Sequence, residues 1–270
     1  MHEFTVEGPI TLAARVGAGE LTVTAEPRET ATVEVSPYDS SDTAREAAER
    51  TRVELTGDVL TVEAPRPGWR LRRTEPVRVD IRLPEDCRLD IQVAAATVRL
   101  AGRYGDTAVH TASGELTADH VAGALDLETA SGDAQVARVQ GPAKARTASG
   151  DLALGYVGGD ITAVTASGDV VIDRAAASVR ARVASGDVRI AAVRQGTVEI
   201  GTASGNVQVG VEAGTRAWLD VSTTSGMVRS DLDPEPASGQ ADDGAPLTVR
   251  VRTASGNVEL RRVPADVSHV

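Results

Sequence analysis

The pentapeptide TASGD stands at Thr129–Asp133, again at Thr147–Asp151 and again at Thr165–Asp169, each copy 18 residues after the last. Looser copies extend the series. Their serines are Ser113, Ser131, Ser149, Ser167, Ser185, Ser204, Ser225 and Ser255, in steps of 18, 18, 18, 18, 19, 21 and 30. Self-similarity at a fixed period of about 20 residues marks a solenoid, one short unit stacked on copies of itself.

The residues after each copy say what the unit is. Two positions past the glycine stand Leu116, Ala134, Leu152, Val170, Val188, Val207, Val228 and Val258. Two further on stand Ala118, Val136, Leu154, Ile172, Ile190, Val209 and Leu260, with Ser230 as the exception. A spacing of two is the period of a strand with one buried face. A single coil cannot bury that face, whereas stacked coils about 4.8 Å apart can, each strand bonding to its equivalent in the next coil. The reading is all-β: a single-chain parallel β-solenoid, or β-helix, of about 18 residues per coil, starting near residue 89 and running to 270.

TASGD is then the corner of the coil. Glycine adopts positive φ without penalty, and Ser and Asp can bond backbone groups at the bend. This assigns a turn role to Gly114, Gly132, Gly150, Gly168, Gly186, Gly205, Gly226 and Gly256. The rival is a row of calcium sites, since calcium-binding β-rolls also wind from glycine- and Asp-rich repeats. Each coil here has one acidic position where a β-roll has two. That position reads Glu115, Asp133, Asp151, Asp169, Asp187, Asn206, Met227 and Asn257, and a ligand column would not admit Met. No metal and no cofactor is expected.

Residues 1–88 leave the repeat. FTVEG, ITLAARV, ELTVTAE, ATVEVSP, RVELTG, VLTVEAP and VRVDIRLP read as strands of an N-terminal antiparallel β cap over the first coil. One short helix is expected near 42–51, with Thr43 and Glu46 as a capping box. Two insertions stand out. RPGWRLRR gathers Trp69, Arg70, Arg72 and Arg73 in a loop, a combination enriched in binding hot spots. The stretch near 231–246 is acidic and rich in Pro and Gly, which reads as a disordered excursion. The chain is expected to close at its own last coil, with Arg261, Arg262 and Pro264 guarding the open edge.

Composition excludes several functions. A net charge of −11 disfavours nucleic acid, whose binding draws on Lys and Arg against phosphate. One cysteine, Cys87, permits no internal disulfide. The opening MHEFTVEGPITLAARV lacks a signal peptide's basic start and apolar run, and no stretch nears the roughly 18 apolar residues of a membrane span. A cytoplasmic chain with no direct membrane insertion is expected. Among motifs, HExxH, GxSxG, the P-loop and CxxC are absent. The histidines are scattered and Cys87 has no partner in sequence, so no catalytic residue is assigned.

GPITLAARVGAGELTVTAEP near the start, the TASGD repeats, AGTRAWLDVSTTSGMVRSDL and the closing VRTASGNVEL together resemble a bacterial β-strand-repeat family of unknown function, labelled "putative adhesin" or toastrack. The resemblance covers nearly the whole chain. It implies a β-solenoid without known catalytic residues, and a link in some members to envelope-stress sensing. The expected function is a non-enzymatic binding or scaffold module for a protein partner, as a monomer or small homo-oligomer. The alternatives are a self-assembling or adhesin-like surface module and a polysaccharide-binding or -cleaving β-helix.

Overall fold

The structure, a computed structural model, describes residues 1–65, 75–232 and 247–265. The chain forms two compact units, Met1–Val139 and Gln140–Val270.

The first unit holds β1 (His2–Thr5), β2 (Thr11–Ala25), β3 (Thr30–Pro37), α1 (Asp42–Arg50), β4 (Arg52–Thr56), β5 (Val59–Glu63), β6 (Val77–Leu83), β7 (Arg88–Tyr104), β8 (Thr107–Ser113), β9 (Leu116–Val121), β10 (Leu125–Ser131) and β11 (Ala134–Val139). Parallel coils stack in the order β5 with β6, then β2, then β7, then β8 with β9, then β10 with β11. ITLAARV and ELTVTAE are therefore one 15-residue strand, a whole coil that pairs in parallel with β7 from Thr11↔Arg88 to Thr24↔Ala101. The expected antiparallel layer is confined to β1, β3 and β4; β2, β5 and β6 already run parallel. The physical reason is visible in β2. Its buried residues Leu12, Ala14, Val16, Leu21, Val23 and Ala25 alternate as those of the repeats do, although the Ser-Gly corner is missing.

Helix α1 packs on β3 and β6 and buries Ala44 and Ala47. Its N-cap is Ser41 in place of the expected Thr43. Ser41 has extended backbone, and its Oγ accepts from the Ala44 N–H at 3.1 Å. Thr43 already lies inside the helix, so it has no cap position to fill.

The second unit holds β12 (Ala143–Ser149), β13 (Leu152–Val157), β14 (Ile161–Ser167), β15 (Val170–Ala175), β16 (Val179–Ser185), β17 (Val188–Val193), β18 (Thr197–Ser204), β19 (Val207–Glu212), β20 (Ala217–Ser225), β21 (Val228–Ser230), β22 (Leu247–Ser255) and β23 (Val258–Val263). Coils pair in parallel with the serines in register: Ser149↔Ser167, Ser167↔Ser185, Ser185↔Ser204. Their inward columns, Leu152/Val170/Val188/Val207 and Leu154/Ile172/Ile190/Val209, are buried throughout. Each such side chain removed from water contributes about 1.5–3 kcal/mol, less the entropy of ordering the coil.

The stacking order then departs from the order of the chain. Strands β22 and β23 lie directly on β18 and β19, as Ser204↔Ser255 and Val207↔Val258 show. Strands β20 and β21 pair with the other side of β22 and β23. The coil last in sequence is thus next to last in space: β21 covers it at Val258–Leu260, and Arg261 and Arg262 run past the end of β21, so among the described residues they pair only with β19. The side chains account for this. Leu247, Val249, Val251, Val258 and Leu260 fill the interior of an enclosed coil, whereas Val228 and Ser230 are exposed and suit an outer one. No helix among the described residues is long and apolar enough to cross a membrane.

Candidate interaction surface

The corners are built first by backbone. The eight turn glycines have φ from +124° to +147°. A Cβ on Gly168 would lie 2.2 Å from the Gly150 carbonyl oxygen, and one on Gly186 would lie 2.1 Å from that of Gly168. At these corners the coils therefore touch, main chain to main chain, and only glycine leaves room.

The residue after each glycine supplies the second element. Asp151 Oδ1 accepts from the Asp169 N–H and Asp169 Oδ1 from the Asp187 N–H, both at 2.8 Å. Asp187 Oδ1 accepts from Asn206 at 2.6 Å, Asn206 Oδ1 from Asn257 at 3.0 Å, and Asn257 Oδ1 from Met227 at 3.0 Å. The column is a ladder of side-chain acceptors, each taking the amide of the next coil. Asn can stand in for Asp because the ladder uses a single Oδ1 acceptor, which either side chain supplies. Met227 ends the ladder on the outer coil, where no further amide among the described residues needs an acceptor. Asp169→Ala should accordingly lower stability by about 1 kcal/mol, Asp169→Asn by less, and Met227→Asn should leave it unchanged; urea midpoints measure all three.

That outer coil is the surface with most to offer a partner. Among the described residues β20 pairs only with β22, and β21 only with β23. A nine-residue strand edge is thus left open among the described residues. Its sequence, AWLDVSTTS, has one ionisable residue, Asp220, and neither Lys nor Pro. Natural edges are usually blunted by charge, Pro or a bulge. Trp218 is 52% exposed, with the Arg250 guanidinium 5.6 Å from its ring, and Met227 and Val228 stand exposed on the same coil. Sequence reasoning passed over these residues. The signal was present in the two broken columns, at Met227 and Ser230. Trp69, Arg70, Arg72 and Arg73 lie outside the described residues, as does nearly all of the 231–246 insertion.

A second concavity lies on the first unit, a groove of about 660 Å³ lined by Glu3, Arg28, Glu34, Asp80 and Arg82 with Thr22, Thr24 and Thr32. Antiparallel pairing sets Glu34 directly across from Asp80. Burial, then Glu20 and Glu34 nearby, pushes the Asp80 carboxyl above its ordinary range. Arg28 is spent on Glu26, Thr30 and Thr32.

The remaining reactive groups are dispersed. Cys87 is buried, its sulfur accepting from the Ile10 N–H at 3.2 Å, and burial raises its thiol pKa, which makes it a packing residue. His110 meets Glu128 at 3.4 Å on an open face. His120 lies between Arg103 and Arg138 on neighbouring strands; partial burial, then those two cations, lowers its pKa. Among the described residues no three His, Cys, Asp or Glu side chains converge as metal ligands.

No curated protein matches. Solved structures with a similar arrangement include a "putative adhesin" from Bacteroides fragilis at 12% identity, with 96% of this chain and 95% of that one covered and a TM-score of 0.45. A "putative adhesin" from Parabacteroides distasonis is 13% identical over 96% and 95% of the two chains, with a TM-score of 0.35. A "putative lipid binding protein" from Parabacteroides distasonis is 9% identical over 97% and 95%, also with a TM-score of 0.35. The family model described as Toastrack DUF4097 matches residues 15–261, from within β2 to within β23. On that match, and on the parallel coils now described, the chain belongs to the Toastrack DUF4097 family.

Proposed function

We propose that this protein is a non-enzymatic binding module that holds a protein partner by strand addition at β20, in the envelope- or stress-signalling setting that the family resemblance implies. The open edge of β20 carries the reading. Its unpaired main-chain groups supply hydrogen bonds to an extended partner strand, and Trp218 supplies an amphipathic anchor beside them. Beside that edge, Met227 and Val228 add exposed apolar side chains on the same coil.

The test compares the protein with the Trp218→Ala/Thr224→Lys variant. Thr224 is exposed and stands between Thr223 and Ser225, which pair with Thr253 and Ser255, so the lysine adds an edge charge without disturbing the core. Both proteins, tagged and expressed in the native cell, are captured and their associated chains are quantified by mass spectrometry. A partner recovered by the wild type and depleted with the variant, at unchanged circular dichroism, is the expected result. Equal recovery by both would overturn the reading.

A further inference from the structure

We infer that the outer face of β16, β18 and β22 holds a carboxylate of an acidic protein segment, seated over Gly201 between the guanidinium groups of Arg182 and Arg252. This site is separate from the β20 edge, so either reading can fail without the other.

Register builds the site. Parallel pairing sets Arg182 of β16 beside Gly201 of β18, and Gly201 beside Arg252 of β22. At about 4.8 Å per strand, the two arginine backbones stand about 10 Å apart across the glycine. Both arginines are exposed, whereas Ala181, Val183, Val251 and Thr253 on either side of them along the strands are buried, so both side chains point outward. A Cβ on Gly201 would meet nothing within 4 Å, so the space between the two arginines is open.

The neighbouring column shows what fits such a place. Two residues earlier in each strand, Glu199 stands between Arg180 and Arg250. The Arg180 Nε donates to the Glu199 carboxylate at 3.1 Å. Strand β18 thus sets an acid between arginines in one column and bare backbone between arginines in the next. Beyond the pair, that second column continues to Val164 beside Arg182 and to Ser222 beside Arg252. No acidic residue faces either arginine in the column, and neither enters an ion pair among the described residues. Four arginines therefore meet one glutamate on this face, in a chain whose net charge is −11. The local reversal of sign attracts an anion.

The geometry also selects the kind of anion. A guanidinium presents paired N–H donors that match the two oxygens of a carboxylate, and here two such forks flank one position. A single exposed ion pair is weak, so a free carboxylate would not be held, whereas a chain presenting several gains from each additional contact. A protein segment suits the surroundings. An extended chain places every second side chain on one face, which is also the step from the Glu199 column to the Gly201 column. Val164, exposed beside Arg182, and Trp218, packed against Arg250, offer apolar contact to its uncharged residues.

The test uses the whole protein and a fluorescein-labelled peptide of alternating Glu and Thr, with a Gln and Thr peptide as its uncharged counterpart. Binding is followed by fluorescence anisotropy, and circular dichroism shows that each variant is folded. The Glu peptide should bind and the Gln peptide should not. Arg182→Ala/Arg252→Ala and Gly201→Glu should each weaken binding about tenfold or more, the first by removing the clamp and the second by filling it from within. Arg189→Ala/Arg229→Ala removes the same charge from exposed positions on β17 and β21 and should change affinity by less than about twofold. Trp218→Ala/Thr224→Lys should bind the peptide as wild type does. A Glu peptide that does not bind, that binds every variant alike, or that is lost equally with Arg189 and Arg229 would overturn the site. Loss confined to Trp218→Ala/Thr224→Lys would overturn it too, by placing the peptide at β20. Polygalacturonate bound through Arg182 and Arg252 in place of the peptide would overturn the protein segment as the occupant.

Discussion

Gly168→Ala should be among the most damaging single-methyl changes in the chain, lowering stability by about 4 kcal/mol or more. Two effects combine at this position. The backbone has φ of +126°, a conformation that residues with a Cβ rarely adopt. The added carbon would also lie 2.2 Å from the Gly150 oxygen and 2.7 Å from its carbonyl carbon, main-chain atoms that no rotamer change can move. The coils must then part, straining the Asp169 N–H bond to Asp151 and the Gly150 N–H bond to the Ser167 carbonyl. Two controls separate these effects. Gly214 has φ of +80° but nothing within 4 Å of a Cβ, so Gly214→Ala should cost only the backbone strain, about 1–2 kcal/mol. Gly201 has neither restriction, and Gly201→Ala should be neutral or mildly stabilising. Urea unfolding followed by circular dichroism ranks the three. If Gly168→Ala costs no more than Gly214→Ala, close approach of the coils is not what reserves the corner for glycine.

Tyr104→Ala should come next, at about 3–5 kcal/mol, as expected for a fully buried aromatic side chain. Tyr104 closes a place where β7 breaks register with β9, between Leu100 and Arg103. Its hydroxyl lies 2.7 Å from both the Ala101 and Val23 carbonyl oxygens, which share its one proton. Tyr104→Phe keeps the ring and removes that donor, so it should cost about 1–2 kcal/mol by leaving buried carbonyls unsatisfied. Burial pushes the phenol above its ordinary value of 10.0. The sign follows from linkage. The unfolded chain ionises first, so this group's contribution is fully present below pH 10.0 and is lost as pH rises above it. Tyr104→Phe should therefore show a weaker decline of stability in alkali than wild type. Identical urea midpoints for Tyr and Phe would show that the hydroxyl contributes nothing.

Much of this could be read from residues alone, for a physical reason. Strand period two and coil period 18 are properties of neighbouring residues, and Leu154, Ile172 and Ile190 can satisfy both only by facing a common interior. The corner was equally legible, because the need for positive φ leaves glycine as the natural choice. Ser41 was misjudged in favour of Thr43 because two hydroxyls near a helix start compete, and only the chain's exit direction decides between them.

Neighbour relations are different. Periodicity says that two segments are equivalent, and equivalent segments can stack in more than one order. The broken columns at Met227 and Ser230 mark the coil after AWLDVSTTSG as atypical, but they do not say that VRTASGNVEL stacks inside it. That choice belongs to the whole stack, which encloses Val251 and Leu260 and leaves Val228 and Ser230 to solvent. The same holds for β5 and β6 lying beyond β2, and for Glu34 facing Asp80 across strands distant in sequence. Local chemistry thus determined the coil, its corner and its interior. The order of the coils, and with it the open edge at Trp218, was settled only when non-local burial selected among pairings that strand chemistry alone leaves nearly equal.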